Sequence, residues 1–118
     1  MEELRNGFVE ILVHAIIKDK TLFQFIEENM AHIFQLKENI LEELIYQDCK
    51  IKGEVVQKDE KDLGERAILN FGHTFGHAVE SAYDYQYRHG QCVAHGILGV
   101  CRIVERLGLV SAIETKRI

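Results

Sequence analysis

The chain has 118 residues, 47% of them hydrophobic, with 14 basic and 19 acidic residues and a formal net charge of −5. That length suits one compact domain, read here as a single unit over 1–118, which can bury roughly two-thirds of its unfolded surface. The acidic balance argues against nucleic acid or an anionic membrane as a partner, and no apolar run approaches a membrane span or a signal-peptide core.

Glu2 to Asp19 reads as a helix, with Phe8, Ile11, Leu12, Ala15 and Ile16 at helical spacing and Asn6-Gly7 as an alternative start. Glu10 sits on it, and the ordinary reading of a helical glutamate is a solvated carboxylate. A break is expected at Lys20-Thr21, with Thr21 as N-cap of a short helix through Leu22, Phe25 and Ile26 that stops near Asn29. Met30 to Leu36 is ambiguous, and His32 there reads as structural. A longer helix is predicted over 37–58, with Ile40, Leu41, Leu44, Ile45, Cys49, Ile51, Val55 and Val56 as its apolar stripe. Lys52 within it reads, taken alone, as a surface lysine. The charged run from Lys58 to Gly64 reads as a solvated connection.

The helical pattern resumes at Glu65 and leads into Asn70-Phe71-Gly72-His73-Thr74-Phe75-Gly76-His77-Ala78-Val79-Glu80. His73 and His77 lie four residues apart, which stacks both imidazoles on one helix face. If the helix runs through, Asn70 joins them in one polar line that needs partners. The pair reads either as metal ligands or as ordinary core or surface histidines. Gly72 and Gly76 each cost a helix about 1 kcal/mol relative to Ala, which implies that something approaches the backbone closely. After an aromatic loop with Tyr83, Tyr85 and Tyr87, His89-Gly90 opens an apolar helix to about Leu107, with Val93, Ile97, Val100, Cys101 and Val104 inward. Gly96 and Gly99 permit close packing, and Gly108 is a C-terminal stop. The three cysteines lack CxxC spacing and read as the reduced thiols of a cytosolic protein. There is no strand alternation, GxGxxG or Walker loop, so the fold class is all-α, a bundle of five or six helices without a nucleotide site.

The stretch from Arg66 to Glu80 resembles 3-dehydroquinate synthase. Asn6-Gly7-Phe8-Val9-Glu10 is similar to that family's NGxxE helix, Lys52-Gly53-Glu54-Val55-Val56 with Asp59-Glu60 to its KxxVVxxDE segment, and His89-Gly90-Gln91-Cys92-Val93-Ala94 to its HGExVA helix. The resemblance covers nearly the whole chain in the family's order and spacing. It implies part of an all-helical C-terminal domain, without the family's NAD-binding α/β domain and without its last helices. It also implies a cytoplasmic, homodimeric enzyme using NAD and zinc, or cobalt. That enzyme converts 3-deoxy-D-arabino-heptulosonate 7-phosphate, a phosphorylated sugar acid, to 3-dehydroquinate and phosphate in the shikimate route to aromatic amino acids.

By the same resemblance Glu10, His73 and His89 match the metal ligands, which replaces the pairing of His73 with His77 that spacing alone suggests. His77 matches a substrate-pocket histidine, Lys52 and Arg66 the residues that hold the substrate carboxylate, and Asn70 a further polar contact. One carboxylate with two neutral imidazoles suits Zn²⁺ and leaves positions open for substrate oxygens. Two positions depart from the family's pattern. Val13, beside His14, stands where the family's helix carries lysine, and Gln91 stands where it carries glutamate. The competing readings are a related sugar-phosphate cyclase, a metal-dependent polyol dehydrogenase, or a stand-alone metal-binding helical module without activity. The expected partners are an NAD-binding domain or a second copy of the chain.

Overall fold

The computed structural model describes residues 2–61 and 63–118. Every regular element among them is helical: α1 (Glu2–Lys18), α2 (Lys20–Phe34), α3 (Glu38–Lys58), a 3-10 helix (Glu65–Asn70), α4 (His73–Ala82), α5 (His89–Arg106) and α6 (Ala112–Thr115). The all-α expectation therefore holds. The elements fall into two compact units, Met1–Leu69 and Asn70–Ile118.

In the first unit α1, α2 and α3 pack on one another around Phe8, Ala15, Leu22, Ile26, Ile33, Leu44 and Ile51. The rings of Phe8 and Phe34 meet edge to face, 5.4 Å between centroids. The break between α1 and α2 is the single residue Asp19. Its carboxylate accepts the N–H groups of Thr21 and Leu22 at 2.8 and 3.1 Å, so the cap is Asp19 and not Thr21. Asn29 does not end α2. Its amide donates to the Phe25 carbonyl at 2.9 Å, and the helix continues to Phe34. Ile26 and Ile33 flank it and are 1% and 0% exposed. Burying each contributes about 1.5–3 kcal/mol, more than the ~0.7 kcal/mol that Asn costs in a helix. Leu36, at φ 59°, turns the chain toward α3.

The buried stripe of α3 is Leu44, Ile51 and Val55, whereas Ile45 and Cys49, expected inside, are exposed. Asp48 lies in that stripe and hydrogen-bonds to His14, which is only 3% exposed. The charged run after α3 is more than a solvated connection. Asp59 is buried and accepts the N–H groups of Leu63 at 2.7 Å, Gly64 at 2.8 Å and Arg66 at 3.0 Å. Asp62 of that run lies outside the described residues.

In the second unit the helix does not run through the histidine stretch. The 3-10 turn ends at Asn70, Gly72 takes φ 79°, and α4 starts at His73. Asn70 is therefore out of line with His73 and His77. α4 and α5 return antiparallel with almost no side chain between them. A Cβ on Gly72 would stand 2.9 Å from Ile97, and one on Gly76 3.0 Å from the Val93 backbone. A Cβ on Gly96 would fall against the carbonyl oxygen of Gly72. What approaches Gly72 and Gly76 is thus α5. Gly99 has only ordinary contact with Phe75, at 3.8 Å, and is not needed for the crossing. α5 closes with Gly108 at φ 68°, where the Leu109 and Gly108 N–H groups reach the carbonyls of Val104 and Glu105 at 2.9 and 3.0 Å. α6 begins on Ser111, which exchanges hydrogen bonds with Glu114.

Candidate metal centre

The antiparallel crossing sets a register. Gly72 lies against Ile97 and Gly76 against Val93. One further turn along each helix brings Glu80 to His89, where Glu80 Oε1 and His89 Nδ1 are 2.8 Å apart. The other carboxylate oxygen, Oε2, lies 2.7 Å from Nδ1 of His77, three residues earlier on α4. His73, at the start of α4, has its Nδ1 3.3 Å from the Phe71 carbonyl. The three imidazoles form a triangle, with centroids 5.7 Å apart for His73–His77, 5.2 Å for His73–His89 and 5.6 Å for His77–His89.

The side chains of His77 and His89 are 62% and 41% exposed, so a ligand can reach both, whereas that of Glu80 is 11% exposed. The hydrogen bonds from His77 and then His89 hold the Glu80 carboxyl below its ordinary range, against the opposing effect of burial. Glu80 is therefore a carboxylate. A carbonyl or carboxylate facing Nδ1 places the proton there and leaves Nε2 as the imine nitrogen, the form in which histidine binds a metal. One atom from each of His77, Glu80 and His89 also lies within 4.8 Å of the others, the spacing of a possible ligand group. This donor chemistry fits a divalent ion of zinc type.

Asn70, Glu10, Arg66 and Lys52, also singled out in the sequence, belong to other elements. Asn70, at the end of the 3-10 helix, is exposed. Glu10 on α1 and Arg66 in the 3-10 helix are part-buried, and Lys52 on α3 is exposed; all three belong to the first unit. Val13 is a fully buried core side chain, and its neighbour His14 is engaged with Asp48. Gln91 plays a structural part, since its side-chain oxygen accepts the Arg88 N–H at 3.0 Å and caps the first turn of α5. Glutamine performs that capping as glutamate does. Sequence reasoning gave Glu80 no role. The one local signal was its spacing of three from His77, since its second partner comes from the next helix. Burial raises the Cys92 and Cys101 thiols above their ordinary range, which leaves them as inert thiols.

The scaffold is all-helical and brings together imidazoles and a carboxylate that could hold a metal ion. A sequence model of the family described as 3-dehydroquinate synthase C-terminal matches residues 7–118, and the chain belongs to that family. It is 47% identical over 116 residues to the 3-dehydroquinate synthase of Clostridium perfringens, covering 96% of this chain and 32% of that protein. To the 3-dehydroquinate synthase of Thermoanaerobacter sp. (strain X514) it is 42% identical over 117 residues, covering 98% of this chain and 33% of that protein. The one from Ruminiclostridium cellulolyticum is 42% identical over 109 residues, covering 92% of this chain and 30% of that protein. The chain thus spans about a third of the length of these relatives.

Proposed function

We propose that these residues are the metal- and substrate-binding part of a cytoplasmic 3-dehydroquinate synthase. The reaction is loss of phosphate from 3-deoxy-D-arabino-heptulosonate 7-phosphate and ring closure to 3-dehydroquinate. The observation that carries this reading is the set of imidazoles whose Nδ1 atoms face Glu80 or the Phe71 carbonyl, on a chain of this family. In this reading His73 and His89 hold a zinc or cobalt ion with Glu10 as the carboxylate ligand. When bound, the ion supplies Lewis acidity to the substrate's oxygens. NAD, held by a separate domain, supplies the hydride acceptor. Lys52 and Arg66 bind the substrate carboxylate, and the fixed charge of Arg66 suits a two-point contact. Asn70 orients a hydroxyl, and His77, held by Glu80 at Nδ1, offers Nε2 for a proton from the substrate.

The NAD-binding domain, or a second copy of the chain, is the proposed partner. The exposed Leu107, Leu109 and Ile113 provide apolar surface for such an association. Val13, buried where the family's helix carries lysine, favours a second reading in which the residues bind metal without turnover. The test is phosphate release from the sugar acid after an NAD-binding domain from a relative is added to the chain with NAD and zinc. Release that is lost in Lys52→Ala supports the synthase, whereas zinc binding without release supports the second reading.

A further inference from the structure

We infer that Glu80 is a positioning residue that locks His77 and His89 into the same tautomer, Nδ1–H, so that both rings present Nε2. Its purpose rests on the metal reading above, but its geometry does not. A carboxylate only accepts hydrogen bonds, and each oxygen here faces a different ring: Oε2 the Nδ1 of His77 at 2.7 Å, Oε1 the Nδ1 of His89 at 2.8 Å. Both Nδ1 atoms must therefore carry the proton. A bond between His77 and Glu80 alone would be an ordinary pair one turn apart on a helix. The bond to His89 comes from another helix, and its register is fixed by backbone contact at Gly72, Gly76 and Gly96. The side chain of Glu80 is 11% exposed, which keeps water from competing for its oxygens. Glu80 could instead serve as a third ligand beside His77 and His89, but that would break both charge-assisted hydrogen bonds and release the rings.

The test is the tautomer state of the two histidines in the metal-free 118-residue chain, read from long-range proton–nitrogen NMR spectra at about pH 8, above the ordinary range of imidazole. The expected result in the unaltered chain is Nδ1–H at both His77 and His89. Glu80→Gln replaces two acceptors with one acceptor and one donor. One ring then keeps Nδ1–H and the other switches to Nε2–H; a switch at His89, the zinc ligand of the two, lowers zinc affinity about 10–100-fold. A switch of one ring is a readout that a merely structural residue would not produce. Nε2–H at either ring in the unaltered chain overturns the inference without reliance on any variant. Unchanged tautomers in Glu80→Gln, or a switched His89 with unchanged zinc affinity, also overturn it. Tautomers as expected in a chain that binds no zinc support the role of Glu80 and contradict the metal reading.

Discussion

Asp59 commits both carboxylate oxygens to three backbone N–H groups of the segment that follows α3. These bonds, Arg66 first and then Leu63, hold its acidity below the ordinary carboxylate range although burial opposes them. The folded chain therefore binds this proton more weakly than the unfolded chain does. The stabilisation is fully present above the unfolded value near 3.8 and is lost as pH falls through the depressed folded value. Asp59→Asn is expected to lower the melting temperature at pH 7, with the gap closing in strong acid; a gap that persists there would contradict this account. In the first unit the buried His14 pairs with the half-buried Asp48. Asp48→Ala leaves His14 without that partner and is expected to cost about 1–3 kcal/mol in denaturant unfolding. At this scale the sequence made the histidines legible through motif and spacing. It did not reveal Asp59 as a backbone cap, because such a cap has no periodic signature and resembles any charged loop. Asp48 was hidden because an aspartate on the inner face breaks the apolar stripe used to read α3.

The helices were legible in number, order and most boundaries, since each carries a stripe at helical spacing. The misread ends have a common cause. Asn29 reads as a stop by local preference, yet burial of Ile26 and Ile33 outweighs that preference. The break at Gly72 went unseen because a left-handed residue between two helical stretches leaves their composition unchanged. The same glycines explain the site's register, and two substitutions separate their roles. Gly96→Ala would drive a methyl group into the Gly72 carbonyl, where backbone lies on both sides and cannot yield. Its helix-propensity gain of about 1 kcal/mol is offset by overpacking of about 1–3 kcal/mol or more, so a net loss of stability is expected. Gly7, inside α1, has nothing within 4 Å of an added Cβ. Gly7→Ala is expected to stabilise by about 0.5–1 kcal/mol. Thermal unfolding of the two variants checks both signs, and equal shifts would contradict the crossing described for α4 and α5.

For the whole molecule, the all-α class followed from the absence of strand alternation together with repeated helical stripes, and family membership followed from long motifs in order. The division into two compact units was not legible, because no glycine-, proline- or serine-rich linker marks the boundary at Leu69 and Asn70. The 118 residues contain no nucleotide-binding motif and match about a third of the relatives' length. Supplied alone with NAD, zinc and the sugar acid, they are expected to release no phosphate, and turnover under those conditions would contradict the division of labour proposed here. Zinc stoichiometry and affinity test most directly the proposal that these helices carry a metal centre. They should be measured for the chain beside the double variant His73→Ala, His89→Ala. One tight zinc per chain, lost in the variant, is the predicted result. Absence of specific zinc, or equal binding by both proteins, would contradict it.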